Sequence, residues 1–559
     1  MLEVSKRMEK GIKGMPKVRQ EGGLTYFTEL EKKVKDNRRL ETWEGEFYFE
    51  YHRGTYTSMA RTKRGNRKSE LMLQELELLG VMAKDYPAET VERLWRDIIL
   101  LNQFHDILPG SSIAEVYDVN KVEYEQLADE AGALIRERLQ ALAGKGEAVT
   151  VFNTLGFARS DVVKLGDVKA AGLKDELGNV YPVQQTADGA VAYLKNLPSK
   201  GYKSFTVCDA EAVSPFVRAD EYHLETPFYS LTLDENGHFT SIFDKENERE
   251  VLKAGKVGNM LRLYEDKPIY YDNWDIDMYY TEKSWEVNDL LSMKWVDGAV
   301  RTTLELTWKC SKSTITQKIH FYADTRRIDF ETVADWKEHQ HLLKAEFPVD
   351  IHSDEATFEV QFGNVTRKIH TNTSWEKARF ESCAHKWMDF SEGNYGVSVL
   401  NDCKYGHSVY DGTIGVTLIK CGVEPNPNAD VEIHNFTYAL YPHCGTWKQA
   451  ETVKEAYNVN QPAYVVAGGE EGKSYSFASV SHDNVILETV KQAENGEGTV
   501  LRFYECQNAR TKATVTVPAE FTKAYATNLL EQVEQELTVV DGKVTFTIKP
   551  YEIFTILLK

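Results

Sequence analysis

Cysteine is the first scarcity that narrows this chain. Seven occur in 559 residues, at 208, 310, 383, 403, 421, 444 and 506, and no two stand in a CxxC pair. An odd number spread so thinly builds neither a disulfide framework nor a zinc ribbon, so these are read as reduced thiols. No apolar run is long enough to cross a bilayer, and the opening MLEVSKRMEKGIKGM has no apolar core such as a secretory leader needs. The chain is therefore expected in the cytoplasm, where the sequons at Asn364, Asn372 and Asn435 are chance matches. Positive charge is in deficit: the formal net charge is -20, which argues against nucleic-acid and membrane partners. Absent too are HExxH, a P-loop, GxGxxG after a strand, GxSxG and a Cys-His nucleophile setting, as are internal repeats, low-complexity tracts and heptads.

What is present is globular. The length predicts about three or four domains, and 42% hydrophobic residues is ordinary for folded cores. Aromatics make up 11%, including 29 tyrosines and 10 tryptophans, and suit β-sandwich cores and sugar-facing surfaces alike. Residues 1–45 are rich in Lys, Arg and Glu, with only short helical patterns such as Leu24 to Val34. The alternation of Phe47, Phe49 and Tyr51 predicts a short strand, with Gly54 as a turn after it. Helices follow: Met72, Leu76, Leu79 and Ala83 share a face, a second helix runs towards His105, and a third spans about Ile113 to Ala143. Short connections predict a three-helix bundle, closed by the linker ALAGKGE. From Val149 onward the period is two, with turns such as Asn236-Gly237 and Asp541-Gly542, so the rest is expected to be antiparallel β-sandwiches.

The informative stretch is Asn102 to Ile113, NQFHDILPGSSI. Val91, Leu94, Trp95 and Ile98 fall at helical spacing before it, which puts His105 on the buried face of a helix one turn from its end. Pro109 and Gly110 stop that helix, and Ser112 with Glu115 reads as a capping box for the next. Taken alone, an inward histidine is more often a satisfied core residue than a metal ligand. The longer string from Trp95 to Ser112, WRDIILLNQFHDILPGSS, resembles a signature of the α-mannosidases of glycoside hydrolase family 38. The resemblance implies retaining hydrolysis of α-mannosides, with a zinc held by two histidines and two aspartates, a nucleophilic aspartate and a carboxylic general acid. It makes His105 a zinc ligand and Asp106 a hydrogen-bonding partner of the bound mannose.

Other clusters also resemble the family. Tyr51 to Ser58 is either a solvent-facing turn or, with His52 and Arg53, part of the rim of the sugar pocket. PIYYDNWDID offers Asp272, Trp274 and Asp275, which fit sugar hydroxyls and a C–H face, or a solvated acidic loop. NDCKYG offers Asp402, as a sugar contact or as a brace between sheets. His434 to Tyr438 and Tyr441 to Gly445 are given structural roles. His352-Ser353-Asp354 has the HxD form of the family's first zinc ligands but stands in the wrong part of the chain, and His339 with His341 lacks a third ligand.

The resemblance runs from near residue 15 to the C-terminus. It predicts a multidomain α+β protein: the end of an α/β barrel over 1–45, a helical bundle over 46–147, a large β-sandwich domain over 148–450 and a C-terminal β domain over 451–559. A whole barrel takes roughly 250 residues, so the other zinc ligands, the nucleophile and the acid are expected outside this sequence. The expected product is a C-terminal part of an α-mannosidase, inactive alone. Two alternatives stand beside it: half of a split enzyme completed by a separate barrel chain, and a non-catalytic carbohydrate-binding protein. Apolar surface near His105 and Phe47 is expected to be exposed and to favour self-association.

Overall fold

Between Ala60 and Ala143 the apolar residues keep a helical period, and beyond Ala148 they alternate. The computed structural model, which describes residues 2–11 and 13–559, follows that division. Two compact units result, one ending at Phe49 and one running from Glu50 to Lys559.

In the first unit the chain forms α1 (Leu2–Lys10) and α2 (Gly23–Val34), the second matching the pattern read at Leu24 to Val34. Neither helix has a buried residue, and no strand forms among the described residues of this unit. The strand expected from Phe47 to Tyr51 is not formed. Phe47, Phe49 and Tyr51 are exposed, and the backbone winds into short 3-10 turns at Glu50–His52 and Gly54–Tyr56. Alternation makes a strand only where a neighbouring strand edge pairs with it, and among the described residues no strand pairs with 47–51.

The second unit opens on the expected bundle: α3 (Ala60–Met82), α4 (Ala88–Leu94) and α5 (Ala114–Ala143). Leu73, Leu76 and Leu79 of α3 pack with Val91, Leu94, Ile98 and Ile99, and with Leu127, Ala131, Ile135 and Leu139 of α5. Arg138 of α5 fastens the turn after α3 by donating to the carbonyl and carboxylate of Asp85, both at 2.8 Å. The helix expected to carry His105 inward ends sooner. A π-helical turn covers Trp95–Leu100, and its wider bonding rotates the following residues away from the stripe of Val91, Leu94 and Ile98. The chain leaves the helix after Asn102, and the His105 side chain, in the turns beyond, is 76% exposed. The capping box is not formed either. Ile113 precedes α5 without a side-chain cap, and the Ser112 hydroxyl donates to the Asp106 carbonyl instead, at 2.9 Å.

All strand pairings among the described residues are antiparallel. The first sheet joins Val149–Asn153 to Gly201–Cys208 on one side and to Tyr464–Ala467, far along the chain, on the other. A nine-stranded sheet, with Ser313–Tyr322, Ile328–Asp335 and Ile433–Cys444 near its middle, faces a six-stranded sheet centred on His341–Pro348. Trp308, Phe321, Phe330, Phe347 and Tyr438 fill the layer between them. Two smaller sheets close over Phe503, Phe546 and Ile556 at the C-terminal end. All seven cysteines are free thiols.

Helix α3 also buries Glu77, which accepts from the Trp95 indole N–H at 3.3 Å. Burial pushes its carboxyl up to about 7 against the pull of Lys491. A raised folded-state value means stability is lost as pH rises from the ordinary carboxyl range through about 7. Glu77→Gln is therefore expected to stabilise the protein by on the order of 2 kcal/mol near pH 8, with the gain vanishing near pH 4.5. Chemical denaturation of both proteins across that range checks the sign.

Candidate functional site

The segment after Tyr51 is threaded against a loop more than two hundred residues away. Gly54 makes this possible, because a Cβ there would lie 2.9 Å from the backbone of Trp274 and Asp275 and 2.6 Å from the Lys420 side chain. Across the contact the Thr55 N–H donates to the Trp274 carbonyl at 3.3 Å and the Ser58 hydroxyl to the Asn273 carbonyl at 2.7 Å. The Arg53 N–H donates to the Asp275 carboxylate at 3.4 Å. Its guanidinium lies over the Phe380 ring and donates to the Ala378 carbonyl at 2.9 and 3.1 Å. Burial raises the Asp275 carboxyl above its ordinary value, although Arg53 opposes it. The fold thus brings together His52, Arg53, Asp272, Trp274 and Asp275.

The acidic loop is exposed at Ile269, Tyr270 and Tyr271 but not at its centre. Asp272, Asn273 and Asp275 are buried, while Trp274 is half-buried with its ring edge-on to Tyr271. Both Asp272 carboxylate oxygens are engaged, by the backbone N–H groups of Val423 and Glu424 at 2.9 Å each and by the Gln340 amide at 3.3 Å.

The start of α3 is fixed from the same side. Met59 has a left-handed backbone, and its N–H and that of Ala60 donate to the two oxygens of Asp430 at 2.6 and 2.7 Å. The Lys63 ammonium, one helical turn on, donates to the carbonyls of Ser58 and Leu108. Burial drives both groups towards neutrality, the Asp430 carboxyl up and the Lys63 ammonium down. Gly110, at a φ of 93°, lies so close to Ser58 that a Cβ would strike its carbonyl. The turn bearing His105 and Asp106 is therefore held at its far end against the start of α3.

Within that turn the Asp106 carbonyl accepts from the hydroxyls of Ser111, Ser112 and Tyr117, and its carboxylate accepts from Ser111 at 3.1 Å. The second carboxylate oxygen faces His105 Nε2 at 3.3 Å, and the imidazole lies beside the Phe104 ring. Both side chains point outward, flanked by exposed Leu100, Leu101 and Phe104. Asp402 does not join them. It is buried under α3, paired with Lys68 at 3.2 Å and accepting the Thr437 N–H at 3.0 Å. Burial favours its protonation, but Lys68 and that N–H hold its carboxyl below the ordinary range.

A zinc needs about four ligands in a structural site, or three with one position open. Among the described residues the one convergence of three ligand-type side chains is Asp430, Glu432 and His434, whose ligand atoms lie within 4.8 Å of one another. Asp430 is taken up by the α3 N–H groups and His434 donates from Nε2 to the Asp430 carbonyl at 2.8 Å, while Glu432 meets Arg61 at 3.3 Å through one oxygen and leaves Oε1 unpartnered. Arg61 and Lys404 nearby disfavour a further cation. Among the described residues no such cluster forms around His105, and these residues alone do not supply the ligand set of a zinc there.

Sequence reasoning did not single out Asp430 or Lys63. In the structure α3 starts at Ala60 with no side-chain cap, although Thr57 and Ser58, both good caps, stand just before it.

Comparison with known proteins places these domains. Residues 50–142 match the alpha mannosidase middle domain, 224–428 the glycosyl hydrolases family 38 C-terminal domain, and 484–556 the glycosyl hydrolases family 38 C-terminal beta sandwich domain. Alpha-mannosidase 2C1 of Homo sapiens is 33% identical over all of this chain and 54% of its own length. Alpha-mannosidase G of Dictyostelium discoideum is 29% identical over 98% of this chain and 55% of its own length. An alpha-mannosidase of Saccharomyces cerevisiae is 30% identical over 94% and 50%. The chain thus spans about half the length of these curated relatives. The crystal structure of an alpha-mannosidase from Enterococcus faecalis superposes with a TM-score of 0.79 at 17% identity, covering all of this chain and 74% of that one, a likeness of fold.

The close approach at Gly54 is open to a direct test. Gly54→Ala is expected to cost on the order of 1–3 kcal/mol by overpacking and to speed hydrogen exchange in residues 50–60 and 272–277. Unchanged exchange in both segments would show that the contact does not hold them.

Proposed function

This chain belongs to glycoside hydrolase family 38, and from that premise we propose that it is the middle and C-terminal part of an α-mannosidase. The observation that carries the reading is the His105-Asp106 pair, presented outward on a turn whose form is set by Ser111, Ser112 and Tyr117 and whose far end is tied to α3 through Lys63. An exposed imidazole beside a carboxylate, on an anchored turn, suits a ligand that is completed from elsewhere.

In this proposal terminal α-mannosides are cleaved with retention, and the nucleophile and general acid come from polypeptide outside these 559 residues. His105 supplies one zinc ligand, and Asp106 accepts a sugar hydroxyl. His52, Arg53 and Trp274 form part of the rim of the pocket. Asp272, Asp275 and Asp402, already satisfied by backbone N–H groups and cations, hold the chain in position rather than grip the sugar. The exposed Leu100, Leu101 and Phe104 around the pair favour a second reading within the same activity, in which a separate barrel chain covers this face. Seven free thiols support a cytoplasmic location. No helix among the described residues is long and apolar enough to cross a membrane.

Hydrolysis of an aryl α-mannoside by this chain, with and without added zinc, is the first test. The expected result is no turnover in either case. On adding a family 38 barrel polypeptide, turnover is expected to appear and to fall by at least about 100-fold with His105→Ala. Zinc-dependent turnover by the chain alone would overturn the assignment of the nucleophile and acid to outside it.

A further inference from the structure

A cavity lies beside α3, between that helix, the π turn and the β region, and is bordered by Tyr56, Lys63 and Pro109. It measures about 710 Å³, within the range of roughly 300–1,000 Å³ typical of small-molecule sites. None of His105, Asp106 or the 272–275 loop lines it. Its walls combine aromatic rings, among them Trp95, Phe362 and Tyr405, with amide, carboxylate and imidazole groups.

The free hydrogen-bonding atoms of that wall are specific. Gln103 donates to Asn66 at 3.1 Å and to Glu70 at 2.6 Å. This orients all three side chains, with Asn66 a further hydrogen-bond partner of the Glu70 carboxyl, yet leaves the Gln103 carbonyl oxygen without a partner among the described residues. Neither ring nitrogen of His385 has one, although its ring is fixed edge-on to Tyr405 at 5.2 Å. Burial, with Arg67 and Lys386 nearby, holds His385 neutral, and burial raises the Glu70 carboxyl. The cations are differently placed. Lys63 is taken up by two carbonyls, and Lys386 is paired with Glu359 at 2.8 Å. Arg67 donates to Asn401 and Asn460 and lies over the Tyr405 ring.

An anion entering here would meet Glu70 and Glu488, with Lys63 and Lys386 already engaged and only Nη2 of Arg67 left unpartnered. A polyol meets amide and carboxylate groups of fixed orientation, which bind neighbouring hydroxyls, and aromatic faces for its C–H surfaces. We propose that this cavity, lined by Asn66, Glu70, Gln103, His385 and Tyr405, binds a neutral sugar residue of an oligosaccharide chain. That the sugar is a mannose rests on the α-mannosidase reading above.

Titration calorimetry and saturation-transfer NMR of this chain with an α-linked mannobiose test it, beside inorganic phosphate. Mannobiose is expected to bind. Losing a charged hydrogen-bond acceptor in Glu70→Gln is expected to weaken binding by about tenfold, and Leu71→Trp, which fills the cavity, is expected to abolish it. Hydroxyl-radical footprinting of the unaltered protein, in which mannobiose should protect Trp95 and Phe362, stands if a variant fails to fold. Absence of mannobiose binding, binding indifferent to Leu71→Trp in a folded protein, or phosphate binding in its place would each overturn the proposal. Binding is read without turnover. Failure of hydrolysis in the reconstituted enzyme with binding intact counts against the α-mannosidase reading alone, and the reverse outcome counts against this site alone.

Discussion

One buried carboxylate, Asp430, fastens the helices of this protein to its sheets. It stands in place of a local helix cap, taking the N–H groups of Met59 and Ala60 from some 370 residues away. Two free N–H groups at a buried helix start would otherwise go unmet, a cost of about 1–3 kcal/mol each. Lys63 carries the constraint onward, because its ammonium joins the carbonyl of Ser58 to that of Leu108. The position of the His105 turn is thus inherited from a residue in the β region.

The polar residues of this junction are spent inward to a degree that their sequence context conceals. Asp272 closes on backbone N–H groups, Lys344 on Glu381 at 2.7 Å, and Lys420 on Asp266. Buried pairs of this kind add little net stability, since desolvation offsets most of their attraction, and breaking either partner leaves a stranded charge. Such charges hold loops at one mutual position, which a site assembled from distant segments requires.

Much of the architecture was legible because periodicity reports burial. The stripe of Leu76 and Leu79, the long α5 helix, the change to alternation at Val149 and the turn at Asp541-Gly542 all follow from which side chains must leave water. Periodicity failed where backbone bonding departed from the regular pattern. A π turn at Trp95–Leu100 put His105 outside, and the alternating Phe47 to Tyr51 found no strand to pair with. At the candidate site, the resemblance singled out Arg53 and Asp275, which the fold then joined. Asp430 and Lys63 carried no signal of their own, because their importance lies in partners more than a hundred residues away or in backbone carbonyls that no side-chain pattern marks.

The pairing of Tyr464–Ala467 with Val149–Phe152 has a temporal meaning. Everything from the end of Gly201–Cys208 to Tyr464 is inserted between neighbours in one sheet. During synthesis the N-terminal strand of that sheet emerges early, but its outer partner leaves the ribosome only after the large sandwich between them. The loop-closure entropy of bringing these ends together is met once the sandwich has folded and shortened the span. Until then one edge of Val149–Asn153 is open, next to the helical bundle, and is a stretch of nascent chain that needs shielding.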